Sequence, residues 1–241
     1  MRYTILGLLF MATASSLAQS SQQSISIVEL FTSQGCSSCP SADKLLKEAV
    51  NSNSADGEVY GLSFHVSYWN RLGWKDPYSS EQFTERQKWY AKKMRLSRIY
   101  TPQMIVDGQD EFVGSQKPKL IASLKTSFSA NKKSAISITN LRKTEDRLTI
   151  SYTGQNISSG EVLNLAIVQR IASNHVPRGE NRHKTLVHSN VVRAFRSIPA
   201  QKSGEVALDL PELNTESSYE VIAYVQNLNT LKISAVGKAT L

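Results

Sequence analysis

The sequence predicts an α/β domain over residues 24–130, interrupted by a long helical insertion at 65–99, followed by a mostly antiparallel, β-sandwich-like domain over 131–241. Three observations carry this reading. Strand-like and helix-like apolar spacings alternate up to residue 130, which implies a sheet with helices on its faces. Beyond "SANKKSA" the chain becomes a series of short alternating strands separated by Asn, Gly, Pro and Ser turns. The only two cysteines, Cys36 and Cys39, stand where the first strand gives way to the first helix.

The chain opens with "MRYTILGLLFMATASSLAQS": Arg2, an apolar run from Ile5 to Ala12, and a small-residue end at Ser16-Leu17-Ala18. That layout predicts a signal peptide over 1–18, cleaved after Ala18. The run is shorter than the roughly 20 apolar residues that span a bilayer, and the mature part has no transmembrane segment of its own. The expected location is the periplasm or the exterior, where disulfides persist.

"ISIVELF" (25–31) reads as a buried strand of β-branched and aromatic residues. From Pro40, Ala42, Leu45, Leu46 and Ala49 recur at helical spacing, and proline suits a first helical turn. "EVYGLSF" (58–64) is the next strand. In the insertion, Ser79 and Gln82 form an expected capping box, and Phe83, Gln87, Tyr90 and Met94 share one face with Trp89 beside them. "TPQMIVDGQDEFVGS" is a hairpin about Asp107-Gly108. "KPKLIASLKTSF" is a helix with Leu120/Ile121, Leu124 and Phe128 on one face. In the second part, "NHVPRGENRHKTLVHSNVVRAF" reads as a polar loop leading into a strand or short helix.

The formal charge of +8 falls by one when the leader, with Arg2, is removed, and the basic residues are spread out, with small clusters at "KWYAKKMRLSR" and "PRGENRHK". An ordinary solvated surface explains this, and nucleic acid is not an expected partner of an exported chain. Two cysteines do not make a disulfide-dense scaffold.

The pair itself admits three readings: a working dithiol, half of a metal site, or a static staple. A disulfide closing so small a loop gains little stabilising leverage. A closed zinc site needs four ligands, and the histidines at 65, 175, 183 and 188 show no ligand spacing, so no metal and no cofactor is expected. Chemistry is the better reason for the spacing. At a helix start the free amides and the dipole favour a thiolate on Cys36. Cys39, one turn on, can resolve a mixed disulfide, and the Ser37 and Ser38 hydroxyls are placed to donate to sulfur.

"VELFTSQGCSSCPSADKLL" followed by "TPQMIVDGQDEFVG" and a closing helix resembles the thioredoxin fold. The resemblance puts Cys36 at the exposed nucleophilic cysteine, Cys39 at the resolving cysteine, and Thr101-Pro102 at the cis proline whose backbone presents itself to a bound chain. More specifically, "ELFTSQGCSSCPSAD", "FHVSYWNRLGWKDPYSS", "FTERQKWYA", "YTPQMIVDG" and "RGENRHKTLVHSNVVR" resemble the DUF1223 family of secreted, thioredoxin-like bacterial proteins. This implies a thioredoxin-like first domain with a β-rich second one, and no substrate. The chain departs from the patterns it resembles at Gly35 and Ser37-Ser38 around the cysteines, and at Ser41, Ser67 and Asn70.

His65 is a candidate proton shuttle. Trp69 and Trp74, with Lys75 and Asp76, are candidates for a substrate-facing rim, and Glu29 for the buried acid beneath the dithiol. Glu180, Asn181 and Arg182 would fix a loop or help the two parts dock, and a docked loop would cap the Cys36 cleft. A metal pair of His183 and His188 lacks an obvious acid. The expected function is an exported thiol-disulfide oxidoreductase acting on cysteines of exported proteins or peptides, with a redox partner protein as a further expected contact. The alternative is a non-enzymatic envelope binding module with a permanent Cys36–Cys39 bond.

Overall fold

The computed structural model of the protein describes residues 24–52, 54, 56–130, 132, 135–210, 212–213 and 217–241. The expected leader at 1–18 lies outside the described residues. No helix among them is long and apolar enough to cross a membrane.

The first half supplies β1 (Ser24–Thr32), α1 (Cys39–Val50), β2 (Gly57–His65), α2 (Glu81–Lys93), β3 (Gln103–Val106), β4 (Asp110–Val113) and α3 (Lys117–Ser129). The second supplies β5 (Ala135–Lys143), β6 (Arg147–Gln155), β7 (Glu161–Val176), β8 (Lys184–Pro199), β9 (Ser203–Asp209), β10 (Tyr219–Asn227) and β11 (Ile233–Thr240). β1 is buried over its last seven residues because both of its faces are covered, the pattern of a central strand.

Eight strands form one mixed sheet in the order β11-β10-β7-β8-β2-β1-β3-β4. β1 and β2 run parallel, and β3 and β4 continue antiparallel. The second half joins through a brief parallel pairing of β8 with β2 at Val191 and Ser63. β5, β6 and β9 make a separate three-stranded sheet. It packs Ile136, Leu148, Ile150 and Val206 against Leu163, Leu165, Val221 and Ala223, a sandwich-like layer. The strands of the second half thus extend the first half's sheet as well as facing one another.

The long helical insertion expected over 65–99 is replaced by a one-turn 3-10 helix at Asn70–Leu72, a loop, and the 13-residue α2. Ser80, one residue later than expected, caps α2: its hydroxyl accepts the Gln82 amide at 3.2 Å. The polar residues "NRLGWKDPYSS" are used to build a loop over β2, which is why helix does not extend through them. In α3, Leu120 is buried, whereas Ile121 is exposed and stands outside the face expected for it. The Asp107-Gly108 turn is tight for a physical reason. Gly108 has φ +70°, and a Cβ there would come within 2.1 Å of the Leu231 carbonyl oxygen.

Side chains alternate across the sheet. Val28 and Leu30 of β1 face α1 and α3, packing with Ala42, Leu45, Leu46 and Leu120. Ile27 and Phe31 face the other way, towards Phe83 and Tyr90 of α2. This alternation decides which titratable groups meet the cysteines.

Candidate active site around Cys36 and Cys39

Cys36 and Cys39 form a disulfide at the start of α1, with Cα atoms 5.4 Å apart. Pro40 occupies the first turn, and the N-cap Ser38 makes no side-chain capping bond. Its hydroxyl instead lies 3.5 Å from Cys36 Sγ. The Thr101-Pro102 peptide is cis. Gly114 brings that proline to the helix: a Cβ on it would meet Leu30, Ala42 of α1 and Pro102 within 2.9–3.2 Å. The dithiol turn and the cis proline therefore share one end of the molecule.

Trp69 Nε1 donates to Thr101 Oγ1 at 2.7 Å, and a Cβ on Gly35 would lie 3.1 Å from Trp69 Cβ. Trp69 thus bridges the dithiol loop and the proline loop. Trp74 Nε1 donates to Gln34 Oε1 at 3.0 Å. Both rings are half-buried.

Beneath α1 lies a buried cluster of two histidine–carboxylate pairs. His65 Nδ1 meets Asp76 Oδ2 at 2.7 Å, and His188 Nδ1 meets Asp43 Oδ2 at 3.1 Å. The two imidazoles are in edge contact, with centroids 4.6 Å apart. Asp43 stands one turn after Cys39 on the same inward face of α1. The backbone amide of Gln34 donates to Asp76 Oδ2 at 2.8 Å, which ties the cluster to the dithiol loop.

Burial opposes the charge on Asp76, but His65 and the amides of Gln34 and Tyr78 outweigh it and hold its pKa below the usual value. Burial likewise opposes a charged His188, yet the neighbouring Asp43 and then Asp76 carry its pKa above normal. Gln34 works against that charge. An indole N–H only donates, so Gln34 Oε1 must face Trp74 and its Nε2 must face His188 Nε2, at 3.4 Å. The contact is good for a neutral imidazole and sets two donors face to face when His188 is protonated. Thr32 Oγ1, Asp43 Oδ1, Ser63 Oγ, His65 Nε2 and Ser189 Oγ are buried with no hydrogen-bond partner among the described residues.

Cys36 is 1% exposed and Cys39 fully buried, against the expectation of an exposed Cys36. The cause is the turn between β7 and β8, residues 177–183. Asn181 Nδ2 donates to the carbonyl oxygens of Gln34 (3.0 Å) and Cys36 (2.8 Å). Glu180 Oε2 accepts the Ser37 amide at 2.9 Å. Asn181 is itself fully buried. The stretch expected as a polar loop leading into a strand or short helix is thus a loop at 177–183 leading into strand β8, and the loop is the tip of a long hairpin that reaches over the cysteines.

Glu29 is placed elsewhere. Its side chain faces α2, where Arg86 Nε and Nη2 donate to it at 2.6 and 2.7 Å and Tyr90 donates at 2.7 Å. It belongs to a buried ion pair on the opposite sheet face and does not lie beneath the disulfide; that position is taken by Asp43. The signal for Asp43 was available, since it lies four residues after Cys39. Nothing local marks His188 as its partner, because the pairing crosses 145 residues. His183 is exposed at the hairpin tip, away from the buried His188.

The sequence pattern of a family described as "Protein of unknown function (DUF1223)" matches residues 27–226. The chain belongs to the DUF1223 family. Among solved structures it is similar to protein AGR_C_4864 from Agrobacterium tumefaciens, at 25% identity and a TM-score of 0.61, over 92% of this chain and 96% of that one. It also shares its fold with HBP35 of Porphyromonas gingivalis, at 16% identity and a TM-score of 0.62, over 91% of this chain and 76% of that one. No curated protein matches it. This DUF1223 chain thus has a thioredoxin-like fold with a Cys-x-x-Cys pair at disulfide distance.

Proposed function

We propose that this DUF1223 protein is an exported thiol-disulfide oxidoreductase that acts on cysteines of exported proteins or peptides through Cys36 and Cys39. The observation that carries the reading is the meeting of a Cys36–Cys39 disulfide, at the first turn of α1, with Pro102 packed at the same helix end. In the reduced protein, the Cys36 thiolate attacks one sulfur of a substrate disulfide and the other substrate sulfur leaves as a thiolate. Cys39 then attacks Cys36, the Cys36–Cys39 bond forms, and the second substrate thiolate is released. Run backwards, the same steps oxidise a substrate dithiol. Thr101 and Pro102 orient the substrate backbone, and Trp69 fixes their loop against Gly35.

The His65–Asp76 and His188–Asp43 pairs support this reading because they place titratable groups under the helix that carries Cys39. The test is Cys39→Ala in the full chain, expected to accumulate mixed disulfides through Cys36 while the native protein reduces insulin. Absence of both trapped partners and insulin reduction would sink the proposal.

One observation favours a second reading, an envelope binding module with a permanent disulfide: both sulfurs are buried. The two readings part on whether physiological thiols can reduce the bond.

A further inference from the structure

Residues 177–183 form the turn between β7 and β8, and their two faces differ in chemistry. The inner face is the clasp: Asn181 holds the Gln34 and Cys36 carbonyls, and Glu180 holds the Ser37 amide. The outer side carries Arg178, Arg182 and His183, and Lys184 follows them as the first residue of β8; all four are exposed. Glu180 is the only acid between 177 and 184, and it is turned to Ser37. Among the described residues, neither Arg178, Arg182 nor Lys184 forms an ion pair; Lys184 Nζ reaches only Asn181 Oδ1, at 3.2 Å. The cations therefore add charge to the surface without stabilising the hairpin through carboxylates of their own.

We infer that the β7–β8 tip is a gate over the dithiol and, at the same time, the docking element for an acidic protein partner. This rests on the oxidoreductase reading. Acidic side chains of the partner engage Arg178, Arg182 and Lys184, the clasp lifts from the dithiol loop, and Cys36 becomes reachable. The geometry makes lifting local. The clasp consists of three hydrogen bonds to backbone groups of residues 34–37, and no apolar side chain of 177–183 belongs to a core cluster. Opening exchanges those bonds for water, a modest cost for exposed groups and a larger one for the buried Asn181. Charge complementarity supplies approach rate and choice of partner more than tightness.

The electron balance of the exchange is that of a dithiol and a disulfide. A partner thiolate attacks Cys36, a partner–Cys36 disulfide forms and Cys39 leaves as a thiolate. The partner's second thiolate then attacks that bond and frees Cys36 as a thiolate, so two electrons pass to the protein and the partner leaves as a disulfide.

The test uses the full chain in its disulfide form. Two reduced dithiol peptides serve as probes, one flanked by a run of glutamates and one by a run of lysines, with dithiothreitol as a neutral probe. The fraction of reduced Cys36–Cys39 is followed by alkylation and mass spectrometry. At low salt the glutamate peptide is expected to react about tenfold faster than the lysine peptide. The preference should fade as salt screens it and invert in an R178E/R182E/K184E variant. Asn181→Ala, which removes two hydrogen bonds, should speed reduction by dithiothreitol by about tenfold or more, and Glu180→Gln, which keeps an acceptor for Ser37 but loses its charge, should speed it by less. Equal rates for the two peptides would overturn the docking role, and unchanged dithiothreitol rates in both clasp variants would overturn the gate; in either case the oxidoreductase reading would stand. A bond that no thiol reduces, even in Asn181→Ala, would instead remove the oxidoreductase reading and the gate with it.

Discussion

The two faces of the central sheet both bury charge, and they do so differently. On the α2 face, Glu29, Arg86, Tyr90, Tyr224 and Gln226 form a closed network. Arg86 donates to both Glu29 oxygens and to Tyr224 Oη at 2.8 Å, and Gln226 Nε2 donates to Tyr90 Oη at 2.8 Å. Burial opposes the Arg86 charge, but Glu29 more than offsets it and raises the pKa further; burial, with Glu29, also keeps both tyrosines protonated. Neither the arginine nor the two tyrosines change charge near neutral pH. On the α1 face, two histidines are held by two carboxylates, and Asp43 Oδ1 and His65 Nε2 have no hydrogen-bond partner among the described residues. One face is a fixed ion pair that joins α2, β1 and β10. The other is a titratable cluster next to a disulfide. Burial of charge alone marks neither as functional; what separates them is the cation, a guanidinium on one face and two imidazoles on the other.

The contrast can be broken hardest on the α2 face. Arg86→Ala leaves Glu29 buried and unpaired and should cost about 3–5 kcal/mol in urea unfolding. A paired replacement, Glu29→Gln with Arg86→Met, should recover much of that loss. A small loss in Arg86→Ala would show that the network is not closed.

On the α1 face the expected effect is smaller and depends on pH. Asp76→Asn should cost about 1–3 kcal/mol at neutral pH, measured as the difference in unfolding free energy from the native chain. The folded Asp76 pKa is depressed, so its contribution is present above the unfolded carboxylate value of about 3.9 and is lost as pH falls through the folded value. The difference should therefore shrink in acid. His188 has the opposite sign. Its folded pKa is raised, so its contribution is full below the unfolded value of about 6.5 and is lost as pH rises through the folded one. Asp43→Asn should thus destabilise more in mild acid than above neutrality, and a pH-independent loss would contradict the assignment. The smallest effect is a control whose side chain takes no part in either cluster: Ser80→Ala removes the α2 cap, leaves the Ser80 backbone bond to His65 in place, and should cost about 1 kcal/mol at any pH.

Much of the α1 face was legible in the sequence, because its marks are local. "CSSCP" after a strand, Pro102 after Thr101, and the 3-4 spacing of Ala42, Leu45 and Leu46 each identify an element without long-range information. The acid was misplaced because Glu29 and Asp43 are both near the cysteines in sequence, and only strand alternation sends Glu29 to the α2 face. His188 was illegible as the partner of Asp43, whereas Asn181 was legible as part of a loop that docks over the Cys36 cleft; both reach the cysteines through a hairpin that enters the sheet beside β2. That pairing rests on a short contact between Ser63 and Val191, and no periodicity announces it. The second half likewise read correctly as strands. Its sharing of one sheet with the first half depends on strand order, which local pattern does not encode.

Cys36 and Cys39 are proposed to exchange electrons despite their burial. The most direct test is the reduction potential of the pair, from equilibration of the full chain with defined ratios of reduced and oxidised dithiothreitol or glutathione. A working dithiol predicts a value within the span of known oxidoreductases, about −120 to −270 mV. A value below about −300 mV, the range of structural disulfides, would contradict it and leave the permanent bond as the better description.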